Sequence, residues 1–489
     1  MTVQNAALRV IKNTAALLAS KAFAMVFSFI FIIYAARLLG VDGFGKYALV
    51  RGYFELFLSL SATGLSIVIT REMAKRPSWA DRYLNTSVVL VSILTVVASG
   101  ILVTIVHVLA YASDTRAATY LACLALMPAT INLVLESAFV AFEKAEYVTY
   151  GTLIENILRT VLGLIVLFLG YGLLALFVVL IIARICMLLF YLVFLSRQIA
   201  KLHWHFDWSF LKRLVRDWRV FALENWLSSL FWTLDVILLS MFHGERAVGF
   251  YAAAYRTLSL ATVVAGSYTT AIFPYISRLF KESEEAFRQV SENSLKYMVA
   301  FVLPVAVIIS VLADRIVILL YTVEYADSIP ILGVLIWVMV LKFLNPFLSH
   351  ILFARGEQRK SLQVAAISLA FYMVVCFWLT PRWGGIGAAW ALLLAVGLAF
   401  CLYLDFIWRR EGVSRVLLTL GRTILAATSF AVFVLLIMNI PLMLLLILAG
   451  LIYFLLLFIF RVFSSREIHL FRKMVLRGLH EASKTMQRT

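Results

Sequence analysis

Long apolar segments recur from residue 9 to residue 463, separated by short stretches that carry charges, proline or glycine. A helix needs about 20 mainly apolar residues to cross the hydrocarbon core of a membrane. The pattern therefore predicts an all-α, polytopic membrane protein with about 14 transmembrane helices. These predicted spans are residues 9–36, 44–69, 83–110, 117–142, 148–170, 172–196, 219–241, 247–275, 293–312, 329–353, 361–380, 384–408, 415–438 and 441–462.

Composition agrees with this pattern, because 63% of the residues are hydrophobic and the mean hydropathy is +0.98. The connections between spans are too short to hold a soluble domain, which argues against an enzyme. The first apolar segment carries Lys12 and Lys21 and continues directly into another span. We therefore do not expect a cleavable signal peptide.

The net charge of +17 is explained by orientation rather than by nucleic-acid binding. With the N-terminus in the cytoplasm, most basic residues of the connections fall on the cytoplasmic side. The sequence therefore predicts a multi-pass protein of the cytoplasmic (inner) membrane with both termini cytoplasmic. Residues 206–218 and the basic tail 464–489 are amphipathic, and we expect both to lie on anionic lipid.

Two features that suggest cofactor chemistry have simpler explanations. The four cysteines are isolated within predicted spans, so no metal site is expected. The run from Gly40 to Lys46 resembles a phosphate-binding loop, but Tyr47 stands where such a loop has serine or threonine. We interpret this run as a tight turn between the first two spans.

Short motifs recur in the same order in the two halves of the chain. Residues 44–48 (FGKYA) match 248–252 (VGFYA), 142–146 resemble 354–358, and 170–175 parallel 385–390. Because each repeat contains an even number of spans, both keep the same orientation. The repeats predict two six-helix lobes around a central cavity plus two extra C-terminal helices. The predicted domains are residues 1–205, 206–412, 413–463 and 464–489.

The motifs around the first turn carry a family resemblance. The runs 35–40 (AARLLG), 43–47 (GFGKY) and 249–255 (GFYAAAY) resemble those of Wzx-type polysaccharide-biosynthesis flippases in the multidrug/oligosaccharidyl-lipid/polysaccharide (MOP) exporter superfamily. The resemblance implies translocation of a polyprenyl-diphosphate-linked oligosaccharide across the cytoplasmic membrane by alternating access. It also implies that membrane lipids and other polysaccharide-assembly membrane proteins are partners. The resemblance also implies a hydrophobic groove for the prenyl tail on the last two helices, and an ordinary lipid-facing surface is equally consistent with their apolar residues.

Charged residues inside membrane spans are costly and are usually functional. Here the basic ones outnumber the acidic ones, which suits an anionic diphosphate. The basic candidates are Lys21, Arg51, Arg159, Arg184, Arg256, Lys342 and Arg422, and the acidic candidates are Glu55, Glu136, Glu155, Glu224 and Asp235.

Arg51 and Arg256 are the strongest candidates for binding a diphosphate, because they occupy nearly equivalent places in the two predicted lobes. Lys21, near the middle of the first span, is a third candidate. The resemblance supports all three, since related lipid II flippases place basic residues in helices 1, 2 and 8. The alternative is that Arg51 pairs with Glu55 four residues later and that Arg256 reaches the membrane surface.

The remaining basic candidates carry weaker signals. Glu155 and Arg159 are four residues apart, which favours a structural ion pair over a sugar contact. Arg184, Lys342 and Arg422 belong to no motif and are equally consistent with packing and with cavity lining.

Asp235 is the leading candidate for ion coupling, and Glu224 is a second one. A lone carboxylate in a span can bind a proton or a sodium ion, and its change of charge could drive lobe movement. A salt bridge with a basic residue such as Arg256 is the alternative for Asp235. No other cofactor is expected.

Two other classes of function remain open. A multidrug or cation antiporter of the same superfamily would need an acidic, aromatic cavity, so the basic excess counts against it. A polysaccharide polymerase would show a large extracytoplasmic loop, and a metal-dependent glycosyltransferase would show an Asp-x-Asp motif. The sequence contains neither feature.

Overall fold

A computed structural model of the chain describes residues 3–199, 208–258, 272, 275–280, 282–411, 414–438, 440–460 and 462. Every regular element within these ranges is helical. The helices are α1 (Val3–Ala62), α2 (Leu65–Lys75), α3 (Ala80–Val108), α4 (Ser113–Ala141), α5 (Ala145–Phe168), α6 (Gly172–Gln198), α7 (Trp208–Thr257), α8 (Glu284–Val311), α9 (Ala313–Tyr321), α10 (Ser328–Ala354), α11 (Gln358–Glu411), α12 (Ser414–Ile437) and α13 (Leu442–Ile459).

Two of the longest helices reverse direction at a glycine with positive φ. Helix α1 breaks at Gly40 (φ 67°) and α7 at Gly244 (φ 76°). In a continuous helix, residues 31 and 47 would lie about 24 Å apart. The rings of Phe31 and Tyr47 instead have centroids 6.2 Å apart, so α1 is a helical hairpin. Glycine adopts this backbone conformation without the steric cost that a Cβ atom adds.

Helix α11 reverses in the same way at Gly384 (φ 56°). A Cβ atom on Gly387 would lie 2.3 Å from the carbonyl oxygen of Leu379. Eight residues of continuous helix would separate those positions by about 12 Å. The two arms of α11 therefore pack closely around the turn.

These reversals account for the number of membrane spans. In the described part of the chain, nine stretches are long and apolar enough to cross a membrane. Three of them (Phe27–Lys75, Phe221–Thr257 and Gln358–Ile407) contain a glycine reversal and therefore count as two helices each, and two shorter apolar helices follow. The prediction of an all-α polytopic chain with fourteen transmembrane helices is confirmed.

The chain divides into two compact units. The first comprises the described residues of 1–260, 317–332 and 369–392, and it holds the hairpins α1 and α7. The second comprises those of 261–316, 333–368 and 393–489. The predicted domain borders at 205/206 and 412/413, and the tail 464–489, lie outside the described residues.

One prediction about the start of α7 is wrong. The apolar face of residues 206–218 was expected to lie on lipid, but Phe210 and Trp218 are buried in the protein core of the first unit. The ring of Phe210 packs edge-on against Tyr83 at 4.7 Å, and the guanidinium of Arg82 lies over it at 4.7 Å. The amphipathic pattern is real, but the apolar face is covered by α3 instead of membrane.

The two C-terminal helices pack within the second unit. The Tyr453 hydroxyl of α13 donates a hydrogen bond to the carbonyl oxygen of Ala300 in α8 at 2.9 Å. The rings of Phe430 in α12 and Tyr453 lie 5.0 Å apart. Helices α12 and α13 therefore share an apolar core with α8.

Candidate functional site

The hairpins α1 and α7 cross each other in the first unit. A Cβ atom on Gly45 would lie 1.9 Å from the carbonyl oxygen of Glu245, and one on Gly249 would lie 2.2 Å from that of Val41. Gly45 and Gly249 each lie five residues after the glycine at which their own hairpin reverses. Val41 and Glu245 each lie one residue after it. The contact is reciprocal, so the two hairpins are related by local twofold pseudosymmetry.

The same register assigns equivalent positions in the two hairpins. Asp42 and Arg246 are equivalent, and they form an exposed ion pair at 3.3 Å. Arg51, however, is equivalent to Tyr255, while Arg256 falls one residue later. One residue corresponds to a rotation of about 100° around a helix. Arg51 and Arg256 therefore point in different directions relative to the pseudosymmetry, and their joint binding of a diphosphate stays a prediction.

Arg51 forms the ion pair that the sequence offered as its alternative role. Its Nη2 atom lies 2.6 Å from Oε1 of Glu55. Its guanidinium also lies over the ring of Phe54, 5.2 Å from the centroid. Arg184 of α6 approaches the same ring at 5.9 Å. The buried Phe54 thus brings two arginines from different helices together.

Glu155 of α5 lies at the centre of this group and is only 6% exposed. Its Oε2 atom lies 3.2 Å from Nη1 of Arg184, and its Oε1 atom lies 3.8 Å from Nη1 of Arg159. Arg159 also donates to Asn156 at 3.0 Å and to Ser28 at 3.3 Å. The sequence predicted the Arg159 pair from its spacing, whereas no local pattern connects Arg184 with Glu155.

A second carboxylate adjoins this cluster. The hydroxyl of Tyr191 donates to Oε1 of Glu136 at 3.1 Å and also lies 3.3 Å from the carbonyl oxygen of Val148. Glu136 interacts electrostatically with Arg184 and Glu155. Tyr191 was not identified from the sequence, because a tyrosine on an apolar helix is usually core.

Asp235 is buried within a group of hydroxyl-bearing and thiol-bearing side chains. The Tyr251 hydroxyl donates to its Oδ2 atom at 2.5 Å, across the two arms of the α7 hairpin. Tyr372 and Cys376 of α11 lie close enough to interact with it electrostatically. Asp235 is 2% exposed. The aromatic hydroxyls around Asp235 were not predicted, although the repeated glycine register places residue 251 opposite residue 235.

Arg256 adjoins the group around Asp235. It is exposed and interacts electrostatically with Tyr321 and with Tyr255, which also interacts with Asp235. Lys21 and Glu224 stand in α1 and α7, but their side chains lie outside the described residues. In the second unit, Lys342 is partly buried in α10 and Arg422 is exposed in α12.

Charged groups buried among the helices of a polytopic bundle, here Glu155 and Asp235, are features of a membrane transporter. The chain belongs to the polysaccharide biosynthesis protein family, whose model matches residues 10–280. The MatE family model also matches residues 221–378. Both families and the fold place the chain in the MOP superfamily of transporters and flippases.

Relatives of this chain include two polysaccharide-related proteins. It is 22% identical over 207 residues to the capsular polysaccharide biosynthesis protein CapF of Staphylococcus aureus, covering 42% of this chain and 52% of that protein. It is 22% identical over 175 residues to the probable low-salt glycan biosynthesis flippase Agl15 of Haloferax volcanii, covering 36% of this chain and 37% of that one. The chain thus matches about half or less of the length of these relatives.

The fold is that of a solved flippase structure. The lipid II flippase MurJ, in an inward closed conformation, superposes on this chain with a TM-score of 0.77. The superposition covers 91% of this chain and 98% of the MurJ chain. The identity is 12%, so the likeness concerns the fold alone.

Proposed function

We propose that this protein translocates a polyprenyl-diphosphate-linked oligosaccharide across the cytoplasmic membrane by alternating access, with both of its termini in the cytoplasm. The observation that carries the proposal is the cluster of Arg51, Arg159 and Arg184 around Glu155. Guanidinium groups bind phosphate oxygens through two parallel hydrogen bonds, and buried arginines in a membrane are otherwise costly. Family membership and the name of the Haloferax relative support the same class of substrate.

Ion coupling at Asp235 completes the proposal. A buried carboxylate in a bundle changes its interactions when it binds a proton or a sodium ion. Tyr251 joins Asp235 to the opposite arm of the α7 hairpin at 2.5 Å. Occupation of Asp235 would therefore change the packing between the arms. Glu224 keeps its predicted secondary role in coupling.

The crossing of the hairpins supplies an element that can open and close. Gly45 and Gly249 allow the backbones of α1 and α7 to touch at the side where both hairpins turn. If the N-terminus is cytoplasmic, this is the extracytoplasmic side. Separation of the two hairpins would open that side of the bundle, and their contact would close it.

A multidrug or cation antiporter is the second candidate, favoured by the MatE match over residues 221–378. Its cavity would need to attract cations. The positive charges of Arg51, Arg159 and Arg184 disfavour the binding of a cation. The carboxylate of Asp235 and the tyrosines around it are compatible with cation binding. A membrane-embedded polymerase or glycosyltransferase has no feature in the described residues that favours it.

Reconstitution separates these candidates. Purified protein in proteoliposomes would be supplied with a fluorescent polyprenyl-diphosphate oligosaccharide, and in parallel with a cationic dye. We expect the lipid to become accessible in the opposite leaflet and the dye to stay in place. Dye export without lipid movement would replace the proposal with an antiporter.

A further inference from the structure

Glu155 is shared by arginines that come from different helices. Arg184 of α6 and Arg159 of α5 lie 3.2 and 3.8 Å from its two oxygens. Arg51 of α1 also interacts with it electrostatically. Of the other two carboxylates nearby, Glu55 pairs with Arg51, and Glu136 accepts from Tyr191 and also interacts electrostatically with Arg184. Glu155 is the carboxylate of this group that forms ion pairs with two guanidiniums, those of Arg159 and Arg184.

The arginines retain donors for a further acceptor. Among the described residues, Nη1 of Arg51 and Nε of Arg184 are buried and have no hydrogen-bond acceptor. A guanidinium carries five N–H donors, and leaving one unpaired in a protein interior is unfavourable. The phosphate groups of a diphosphate would offer several acceptor oxygens to the same arginines.

Two of the guanidiniums lie against an aromatic ring. The ring of Phe54, which is fully buried, lies 5.2 Å from the guanidinium of Arg51 and 5.9 Å from that of Arg184. Contact with an aromatic ring restricts the motion of a guanidinium and does not use its N–H donors.

A narrow cleft adjoins the cluster. Arg51 and Arg159 line it together with the aromatic side chains of Phe31, Tyr47 and Phe177. Its free volume is about 10 Å³. That volume holds about one water molecule and excludes a diphosphate. A diphosphate can therefore reach the guanidiniums only if the helices shift.

We infer that Glu155 is an internal substitute for the transported anion. In the observed arrangement it neutralises Arg159 and Arg184, and an incoming diphosphate displaces it. The returning carboxylate then competes with the diphosphate for the same arginines and promotes its release on the far side of the membrane. This inference rests on the proposed function for the identity of the anion.

The test uses purified full-length protein in detergent and inorganic pyrophosphate as the probe, with binding measured by isothermal titration calorimetry. Glu155→Gln removes the competing charge and keeps the shape of the side chain. It should tighten pyrophosphate binding at least about fivefold, the lower end of typical coupling between competing ligands. The control is Glu146→Gln, the same change at an exposed position nine residues earlier on α5, and it should leave the affinity unchanged.

Arginine variants complete the test in the Glu155→Gln background. Arg159→Gln and Arg184→Gln should each weaken pyrophosphate binding about tenfold, as expected for loss of a charge-assisted hydrogen bond. Glu155→Asp keeps the charge and serves as a variant that folds if Glu155→Gln does not. Its shorter side chain should hold the arginines less firmly and give an intermediate affinity. Thermal unfolding of each variant shows whether it is folded.

The inference is overturned if folded Glu155→Gln protein binds pyrophosphate no more tightly than wild type, because Glu155 is then only a structural counter-ion. It is also overturned if the arginine variants bind as well as their parent. If the affinities follow the inference but lipid-linked glycan is not translocated, the anion site stands and the proposed function fails. If translocation occurs without the affinity changes, the proposed function stands and this inference fails.

Discussion

Gly45 lies against the carbonyl oxygen of Glu245, and its counterpart Gly249 lies against the carbonyl oxygen of Val41 at the same offset from the glycine reversals. The two helical hairpins therefore pack against each other through direct backbone contacts at these two glycines. Any side chain at either position would push the backbones apart. The repeated motifs 44–48 and 248–252 thus contact each other through their backbones.

Gly45→Ala should both destabilise the closed bundle and impair transport. The added Cβ atom would overlap the Glu245 carbonyl, and overpacking of this kind costs about 1–3 kcal/mol. We expect a lower melting temperature in detergent and at least about a tenfold loss of translocation rate, the effect of roughly 1.4 kcal/mol.

The matched control is Gly100→Ala, because a Cβ atom on Gly100 meets nothing within 4 Å. At an exposed helix position, alanine stabilises the helix relative to glycine by up to about 1 kcal/mol. This variant should therefore be at least as stable as wild type. Equal behaviour of the two variants would show that the hairpin contact has no importance.

Phe210→Ala should destabilise the folded protein, because Phe210 is buried against Tyr83 and Arg82. Truncation of a buried phenylalanine costs about 3–5 kcal/mol. Trp208→Ala changes an exposed ring two residues earlier and should have little effect on thermal unfolding. Unfolding of Phe210→Ala at the same temperature as wild type would contradict the burial of this ring.

Arg51→Gln should reduce translocation of a diphosphate-linked glycan by at least about tenfold, since one charge-assisted hydrogen bond to the substrate is lost. Arg71→Gln is the control, because Arg71 is exposed and pairs with its neighbour Glu72. Both variants would be measured at equal protein density in proteoliposomes. Retention of the full rate by Arg51→Gln would remove Arg51 from the substrate site.

Asp235→Asn should abolish the dependence of transport on a proton or sodium gradient, because the side chain can no longer change its charge. Tyr251→Phe removes the hydrogen bond to Asp235 but leaves the carboxylate. We expect this variant to keep its gradient dependence at an altered rate. The measurement is the translocation rate with and without an imposed gradient, and an unchanged gradient response in Asp235→Asn would contradict the assignment.

The sequence predicts the features that depend on neighbours along the chain. Apolar length defines the spans, the borders of the spans place turns at residues 37–43 and 242–246, where Gly40 and Gly244 lie, and the spacing of four residues offers the ion pair of Arg51 with Glu55 as an alternative role. Each of these follows from helix geometry alone.

The features that were missed depend on contacts between distant segments. The pair of Arg184 with Glu155 joins two helices whose relative rotation no local pattern specifies. The burial of Phe210 depends on α3 covering a face that looks suited to lipid. The contact of Tyr251 with Asp235 depends on the packing of the two arms of α7, as does the contact of Phe31 with Tyr47 at the equivalent positions of the first hairpin on the packing of the arms of α1.

The most direct test of the central claim compares two substrates that differ only in their head group. Initial translocation rates in proteoliposomes would be measured for the same fluorescent polyprenyl oligosaccharide linked through a diphosphate or through a monophosphate. A site built from guanidiniums should favour the diphosphate by at least about tenfold, because the lost phosphate removes charge-assisted hydrogen bonds. Equal rates for the two lipids would contradict recognition of the diphosphate by the arginine cluster.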